Sequence, residues 1–224
     1  MNIHEFLISP SKSSHREGPN DRIVMSSRVR LARNLKGHAF PGWAKKPERI
    51  KVLEAIRPSV ERLPQMADSF SASMEDLGAL DKQILVERHL ISREHAAKGA
   101  GSGLVLNREE SVCVMINEED HLRMQALRPG LQVRQAWLSI DQVDSALEKE
   151  LDYAFSPELG YLTACPTNLG TAIRVSAMLH LPGLVLAEQV TQIIQAVNKL
   201  GLAVRGLTAK APRRWAMCFK FPIR

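Results

Sequence analysis

A chain of 224 residues with 45% apolar content can bury one substantial core, so one domain with at most a small appendage is expected. No stretch approaches the ~20 apolar residues that cross a bilayer, and Phe6-Leu7-Ile8 is too short for a signal-peptide core; no membrane partner is expected, and the expected location is the cytoplasm. The net charge of +6 does not argue for a nucleic-acid partner, because Thr208 to Arg224 holds five basic residues and no acidic one, leaving the body nearly neutral.

Residues 1–22 mix Ser, Pro, His and charged types without an apolar period and are expected to form a poorly ordered arm, with structure beginning near Ile23. Arg49 to Leu63 places Ile50, Leu53, Ile56, Val60 and Leu63 at helical intervals, with Pro58 predicting a kink or break. Residues 64–82 carry no clear pattern. Lys98-Gly99-Ala100-Gly101-Ser102-Gly103 lacks the Gly-Lys-Ser/Thr ending of a phosphate loop and is expected to be a mobile loop. Strands are predicted over Ser111 to Asn117, where Val112, Val114 and Ile116 alternate with Cys113 and Met115, and over Ile173 to Leu181, one face of which is polar. Between them, Asp141 to Phe155 is predicted as a helix with Asp141 as N-cap. Leu184 to Leu200 is predicted as a second amphipathic helix closed by Gly201, followed by a short strand Leu202 to Arg205. Strands and helices that do not alternate as βαβ units point to an α+β domain, an antiparallel sheet flanked by helices. Cys113, Cys165 and Cys218 show no paired spacing, so neither a zinc site nor a disulfide framework is indicated.

Three motifs carry chemistry. Arg28 and Arg30, two apart, point to the same side of an extended segment, and each guanidinium can fork onto phosphate oxygens; alone, such a pair is more often solvated surface. Asn117-Glu118-Glu119-Asp120-His121-Leu122-Arg123 concentrates carboxylates four residues before an arginine, and its bland reading is a solvated acidic turn. Cys165-Pro166-Thr167-Asn168-Leu169-Gly170-Thr171 adds a thiol, with Arg174 three residues on; a small buried hydrophobe is the alternative for Cys165, and Thr167, Asn168 and Thr171 suit a turn. Together these residue types suit moving a phosphoryl group between ATP and a guanidinium. A guanidinium is a poor nucleophile with delocalised lone pairs, so carboxylates must orient it and take its proton.

With Ser26-Ser27-Arg28-Val29-Arg30, Val86-Glu87-Arg88-His89-Leu90-Ile91-Ser92 and Val204-Arg205-Gly206-Leu207, the motifs occur in the order of the phosphagen (guanidino) kinase family, which the chain resembles from about Asp21 to Leu207. The resemblance is to the bacterial branch acting on arginine in proteins. It implies a phosphagen-kinase catalytic domain of glutamine-synthetase-like architecture over residues 23–207, C-terminally incomplete. It implies ATP and Mg2+, the metal held mainly through the nucleotide phosphates with no dedicated protein site. By the same resemblance Arg28, Arg30, Arg123, Arg174 and Arg205 form a cage around the triphosphate. His89 is a further nucleotide contact, with a partly buried strand histidine as the alternative. Ser26, Ser27, Val29, Val175, Ser176, Ala177 and Met178 complete the nucleotide positions. Glu119 becomes the substrate carboxylate, and Cys165 an electrostatic aid held as a thiolate beside the guanidinium. The implied partners are protein substrates bearing exposed arginine, an activator protein and a protein-degradation machine. Only 25 residues precede the Ser26 motif, where kinases of free guanidino metabolites carry a helical domain, so an open site for a protein-borne arginine is expected.

The pattern breaks after Leu207. Thr208 to Arg224 forms a basic, aberrant tail, yet shifted by one base it can be decoded as YGEGSEAMGNVFQISNQ, the family's continuation, so a frameshift just before Thr208 is expected. Lys210 then stands where the second substrate carboxylate belongs, which would impair turnover, and loss of a strand is expected to expose a sheet edge. A nucleotide- or partner-binding protein without turnover is the alternative function.

Overall fold

A computed structural model describes residues 17–206 and 215–219, with side chains from 17 to 204. Strands β1 (Val24–Arg33), β2 (Phe70–Ser73), β3 (Gly103–Leu106), β4 (Val112–Ile116), β5 (Leu122–Pro129), β8 (Ile173–Leu179), β9 (Ala203–Gly206) and β10 (Trp215–Phe219) form one antiparallel sheet, ordered β2-β3-β4-β5-β1-β8-β10-β9. β6 (Phe155–Ser156) and β7 (Gly160–Tyr161) make a separate hairpin.

Period-two alternation sorts the central strands into two faces. Val29 pairs with Ala126 on β5 and Val175 on β8, and Leu31 pairs with Met124 and Ile173. Directly opposed residues share a face, so these rows make one apolar surface. Two helices cover it. α1 (Lys46–Glu61) contributes Val52, Ile56 and Val60, and α4 (Val133–Leu147) contributes Ala136, Ile140, Val143 and Leu147, all buried. The opposite face is covered only in part. Leu104, Leu106, Cys113 and Met115 pack against Leu85 of α2 (Ala79–Glu87), and Leu90 and Ile91 lead from it into α3 (Arg93–Ala96). This second core includes no residue of β5, β1 or β8, and their outer face carries Arg28, Arg30, Arg123 and Arg174, each partly exposed, although Gln125, Leu127 and Ser176 on it are buried.

Several predicted boundaries move. α1 runs through Pro58 without a break. A proline inside a helix costs about 3 kcal/mol, but the carbonyl it leaves unpaired belongs to exposed Glu54, and buried Ile56 and Val60 each contribute about 1.5–3 kcal/mol. The helix expected from Asp141 to Phe155 starts instead at Val133 and ends at Leu147, so Asp141 lies mid-helix. No local side chain caps it; the Ser27 hydroxyl accepts from the Gln132 N–H at 2.9 Å and donates to the Gly130 carbonyl at 2.8 Å. The helix expected over Leu184 to Leu200 is two, α5 (Pro182–Leu186) and α6 (Val190–Lys199), broken where Glu188 takes φ 58°. Gly201 does close the second, at φ 77°, with Gly201 and Leu202 N–H groups bonding the carbonyls of Asn198 and Val197.

The loop before β3 is built into the fold. Gly101 to Gly103 are buried, and Asn117 Nδ2 donates to the carbonyls of Gly101 and Arg49 at 2.6 and 2.8 Å. The unpatterned 64–82 stretch contains β2 and the start of α2. The edge expected from a lost strand is filled: β10 pairs with β8 on one side and β9 on the other. Residues 18–23 form a turn against the end of β5, where Leu131 N–H bonds the Pro19 carbonyl at 2.7 Å, while residues 1–16 lie outside those described.

Candidate active site

The arginine-bearing face is built row by row from the strand register. Arg30 on β1 stands opposite Arg174 on β8 and Gln125 on β5; Arg28 stands opposite Ser176 and Leu127; Arg123 on β5 stands opposite Ala32. Arg30, Arg123 and Arg174 therefore converge, and with Glu119, Asp120 and Asn168 they line one cavity. Ser26, Arg28, His89, Ser176 and Met178 line a neighbouring cavity on the same face. Like charges on adjacent strands repel, and an anionic ligand relieves that repulsion.

The β4–β5 hairpin presents the acid. Asn117, at φ 57°, opens the turn, and its N–H bonds the His121 carbonyl at 2.9 Å. The run is not a solvated acidic turn, because Glu118 and Asp120 are buried and only Glu119 is exposed. Glu118 forms a salt bridge with Arg123 and accepts from the Ser92 hydroxyl at 2.6 Å and the Glu119 N–H at 2.9 Å. Burial opposes its ionisation, but the hydrogen bond and charge of Arg123, with Ser92 and the Glu119 N–H, outweigh it and hold the carboxyl at about 2. Arg123 is thereby fixed in direction. Asp120 Oδ1 accepts from Asn34 Nδ2 at 2.6 Å and from the Ala164 N–H at 2.7 Å, joining the acid-bearing hairpin to the cysteine loop; burial raises its pKa against those two bonds. His121 Nδ1 accepts from the Leu35 N–H at 3.0 Å, so its Nε2 carries the proton and donates to the Ala39 carbonyl at 3.0 Å. Burial lowers its pKa to about 4 and keeps the ring neutral.

Cys165 is partly exposed rather than a buried hydrophobe, and it opens a 3-10 turn over Pro166–Asn168. Its Sγ lies 3.1 Å from Thr167 Oγ1, which accepts from Arg174 Nη2 at 3.2 Å. Thr167 thus links the thiol to a cage arginine, a contact role beyond the turn role read from sequence. His89 is not a strand histidine. It ends the turn after α2 at φ 60°, and buried Gln125 donates to the carbonyls of His89 and Leu90 at 3.0 and 2.7 Å.

Not every nominated residue reaches this face. Val29 and Val175 belong to the α1/α4 core, and Ser27 is buried at the start of α4, because odd positions on β1 alternate away from the arginines. Ala177 pairs with Ser27 and is nearly as buried, though it borders the second cavity. At Arg205 only the backbone is described: it pairs with Ala216, in the register row continuing to Met178 and Ser26. The Arg205 side chain and Lys210 lie outside the described residues. Among the described residues no cluster of three His, Cys, Asp or Glu side chains could hold a metal ion. Sequence reasoning missed Glu118, Asp120, Asn34 and Gln125 as organisers of the site; each is polar but buried, and nothing in their mixed polar and apolar segments announces that burial.

An α+β domain with arginines converging on one sheet face beside an exposed carboxylate presents positive charge that a polyanion would neutralise. Residues 51–215 match the ATP:guanido phosphotransferase C-terminal catalytic domain, and the chain belongs to that family. It is 48% identical over 194 residues to the protein-arginine kinase of Pelotomaculum thermopropionicum, covering 85% of this chain and 54% of that protein. To the protein-arginine kinase of Moorella thermoacetica it is 46% identical over 200 residues, covering 88% and 57%. The chain thus spans a little over half the length of these curated relatives. The fold is that of the duplicated taurocyamine kinase from Schistosoma mansoni with bound transition state analog components (TM-score 0.80, 24% identity, 94% of this chain, 31% of that one). It also matches lombricine kinase (TM-score 0.74, 22% identity, 97% and 68%).

Proposed function

We propose that this chain carries the site of an ATP-dependent kinase that phosphorylates the guanidinium of arginine in proteins. The observation that carries the reading is the single cavity shared by Arg30, Arg123, Arg174 and Glu119. In the reaction a guanidinium nitrogen attacks the γ-phosphorus, the bond from that phosphorus to the bridging oxygen breaks, and ADP leaves. Glu119, exposed at the hairpin tip, orients the guanidinium and accepts its departing proton. The arginines neutralise charge spread over the transferring group, which is most of what a protein supplies in phosphoryl transfer. Arg28, His89 and Ser176 hold the remainder of the nucleotide in the adjoining cavity. Mg2+ supplies charge neutralisation on the phosphates and is held through them, since the carboxylates Glu118 and Asp120 are already engaged by Arg123, Asn34 and Ala164. Cys165 contributes electrostatically beside the guanidinium.

Lys210, where the family keeps a second carboxylate, favours a second reading in which nucleotide binds without turnover. Incubation with Mg-ATP and an arginine-rich protein, scored by acid-labile phosphate on arginine, separates the two. It is run on this chain and on a version ending YGEGSEAMGNVFQISNQ from position 208. Phosphoarginine from either protein that disappears in its Glu119→Gln variant is the expected result. ATP binding without product in both would replace the kinase reading with the second.

A further inference from the structure

A cleft of about 700 Å³ opens from the arginine cage, with Arg30, Glu119, Arg123 and Arg174 on its floor. Pockets of this size enclose whole ligands of drug dimensions, so the space exceeds what one arginine side chain fills. One rim is Phe40, Gly42 and Trp43; the other is Ser92, Arg93, Glu94 and Lys98. Trp43 is 89% exposed, more than any other large apolar side chain described. Its main chain is held in a turn: Trp43 and Ala44 N–H groups both bond the Phe40 carbonyl, at 2.8 and 2.9 Å, and Pro41 and Ala44 are buried. The same turn is tied to the acid-bearing hairpin through His121 Nε2 and the Ala39 carbonyl. A large apolar ring carried on a hydrogen-bonded turn beside a charged surface has the marks of a binding anchor, because its main chain is already ordered and a tryptophan has only two side-chain torsions to fix when it is covered.

We propose that Trp43 is the docking anchor for the polypeptide segment flanking the accepting arginine, engaging an apolar residue next to it while the guanidinium reaches Glu119. The inference rests on the kinase reading above, since the occupant is the protein substrate. The charged far rim of Arg93, Glu94 and Lys98 suits the polar main chain of an extended segment rather than a second apolar contact. Trp43 therefore separates a protein-borne arginine from a free one.

The test is calorimetric titration in the presence of Mg-ADP, with a blocked pentapeptide carrying arginine between two leucines and with Nα-acetyl-argininamide as the segment-free probe. The full chain is expected to bind the peptide at least 10-fold more tightly than the amide. Trp43→Ala, at a site too exposed to unfold the domain, is expected to weaken the peptide about 30-fold, the scale of a truncated hot-spot tryptophan, and to leave the amide and ADP unchanged. Trp43→Phe is expected to keep most of the preference. An unchanged peptide-to-amide ratio in Trp43→Ala, while Glu119→Gln abolishes binding of both probes, would overturn the docking inference alone. Glu119→Gln without effect on the amide, or no binding of either probe both by this chain and by the version ending YGEGSEAMGNVFQISNQ from position 208, would overturn the kinase site reading and this inference with it.

Discussion

Replacing Glu118 by glutamine tests how the cage is held. The carboxylate side chain is 1% exposed and its partner Arg123 20%, so solvent screens the pair weakly. Its pKa falls from 4.5 to about 2 on folding, and at 1.36 kcal/mol per unit ionised Glu118 contributes about 3 kcal/mol at neutral pH. That agrees with the lower end of the roughly 3–5 kcal/mol lost when a buried pair is broken, as suits a pair whose arginine meets solvent. The depressed pKa fixes the sign: the contribution is complete above pH 4.5 and is lost as pH falls toward 2. Urea unfolding of wild type and Glu118→Gln should differ by about 3 kcal/mol from pH 7 to 5. Below that the gap should narrow by about 1.4 kcal/mol per pH unit, as Glu118 of the unfolded chain takes up its proton while the folded carboxyl stays ionised. A gap that stays constant to pH 3 would refute the assignment of the depressed carboxyl to this residue. With Arg123 released, affinity for ADP should fall in the same variant at pH 7.

Two further outcomes follow from the buried polar groups. Gln125→Leu removes the buried amide that donates to the carbonyls of His89 and Leu90, which should cost about 1–3 kcal/mol of stability. It should also weaken ADP binding while leaving Nα-acetyl-argininamide affinity unchanged; equal loss for both ligands would deny it a nucleotide-side role. His95 and His121 are each lowered by burial from 6.5 to about 4 and fold neutral, whereas the unfolded chain takes up their protons below 6.5. Stability should therefore be full above pH 6.5 and decline as pH falls to 4, by at most about 3 kcal/mol for each histidine, and a urea midpoint that is flat from pH 7 to 5 would contradict it.

Period-two alternation was legible in β4, where Val112, Val114 and Ile116 enter the α1/α4 core and Cys113 and Met115 enter the other, but the equally buried β3 and β5 were not foreseen, because the four residues of β3 and the mixed polar and apolar run of β5 carry no clear period. The arginines two apart on β1 and the polar row of β8 likewise announced an exposed face, because side-chain direction along a strand is a local property. Gly201 ended its helix for an equally local reason, its positive φ.

What the sequence alone determined, then, was the direction of alternating side chains within single strands and the order of the family's motifs. Where those side chains and motifs meet was decided by partners far along the chain. The start of α4 depends on the Ser27 hydroxyl 105 residues away, which no helix-capping pattern reveals. Of three adjacent acids only Glu119 is free to act, because Arg123 and Ser92 claim Glu118, and Asn34 and Ala164 claim Asp120. The turn that carries Trp43 beside the cleft is tied to the hairpin by His121, which bonds the Ala39 carbonyl and meets the Phe40 ring edge-on. Hydrogen bonds between distant segments, unlike side-chain alternation, leave no period in the chain.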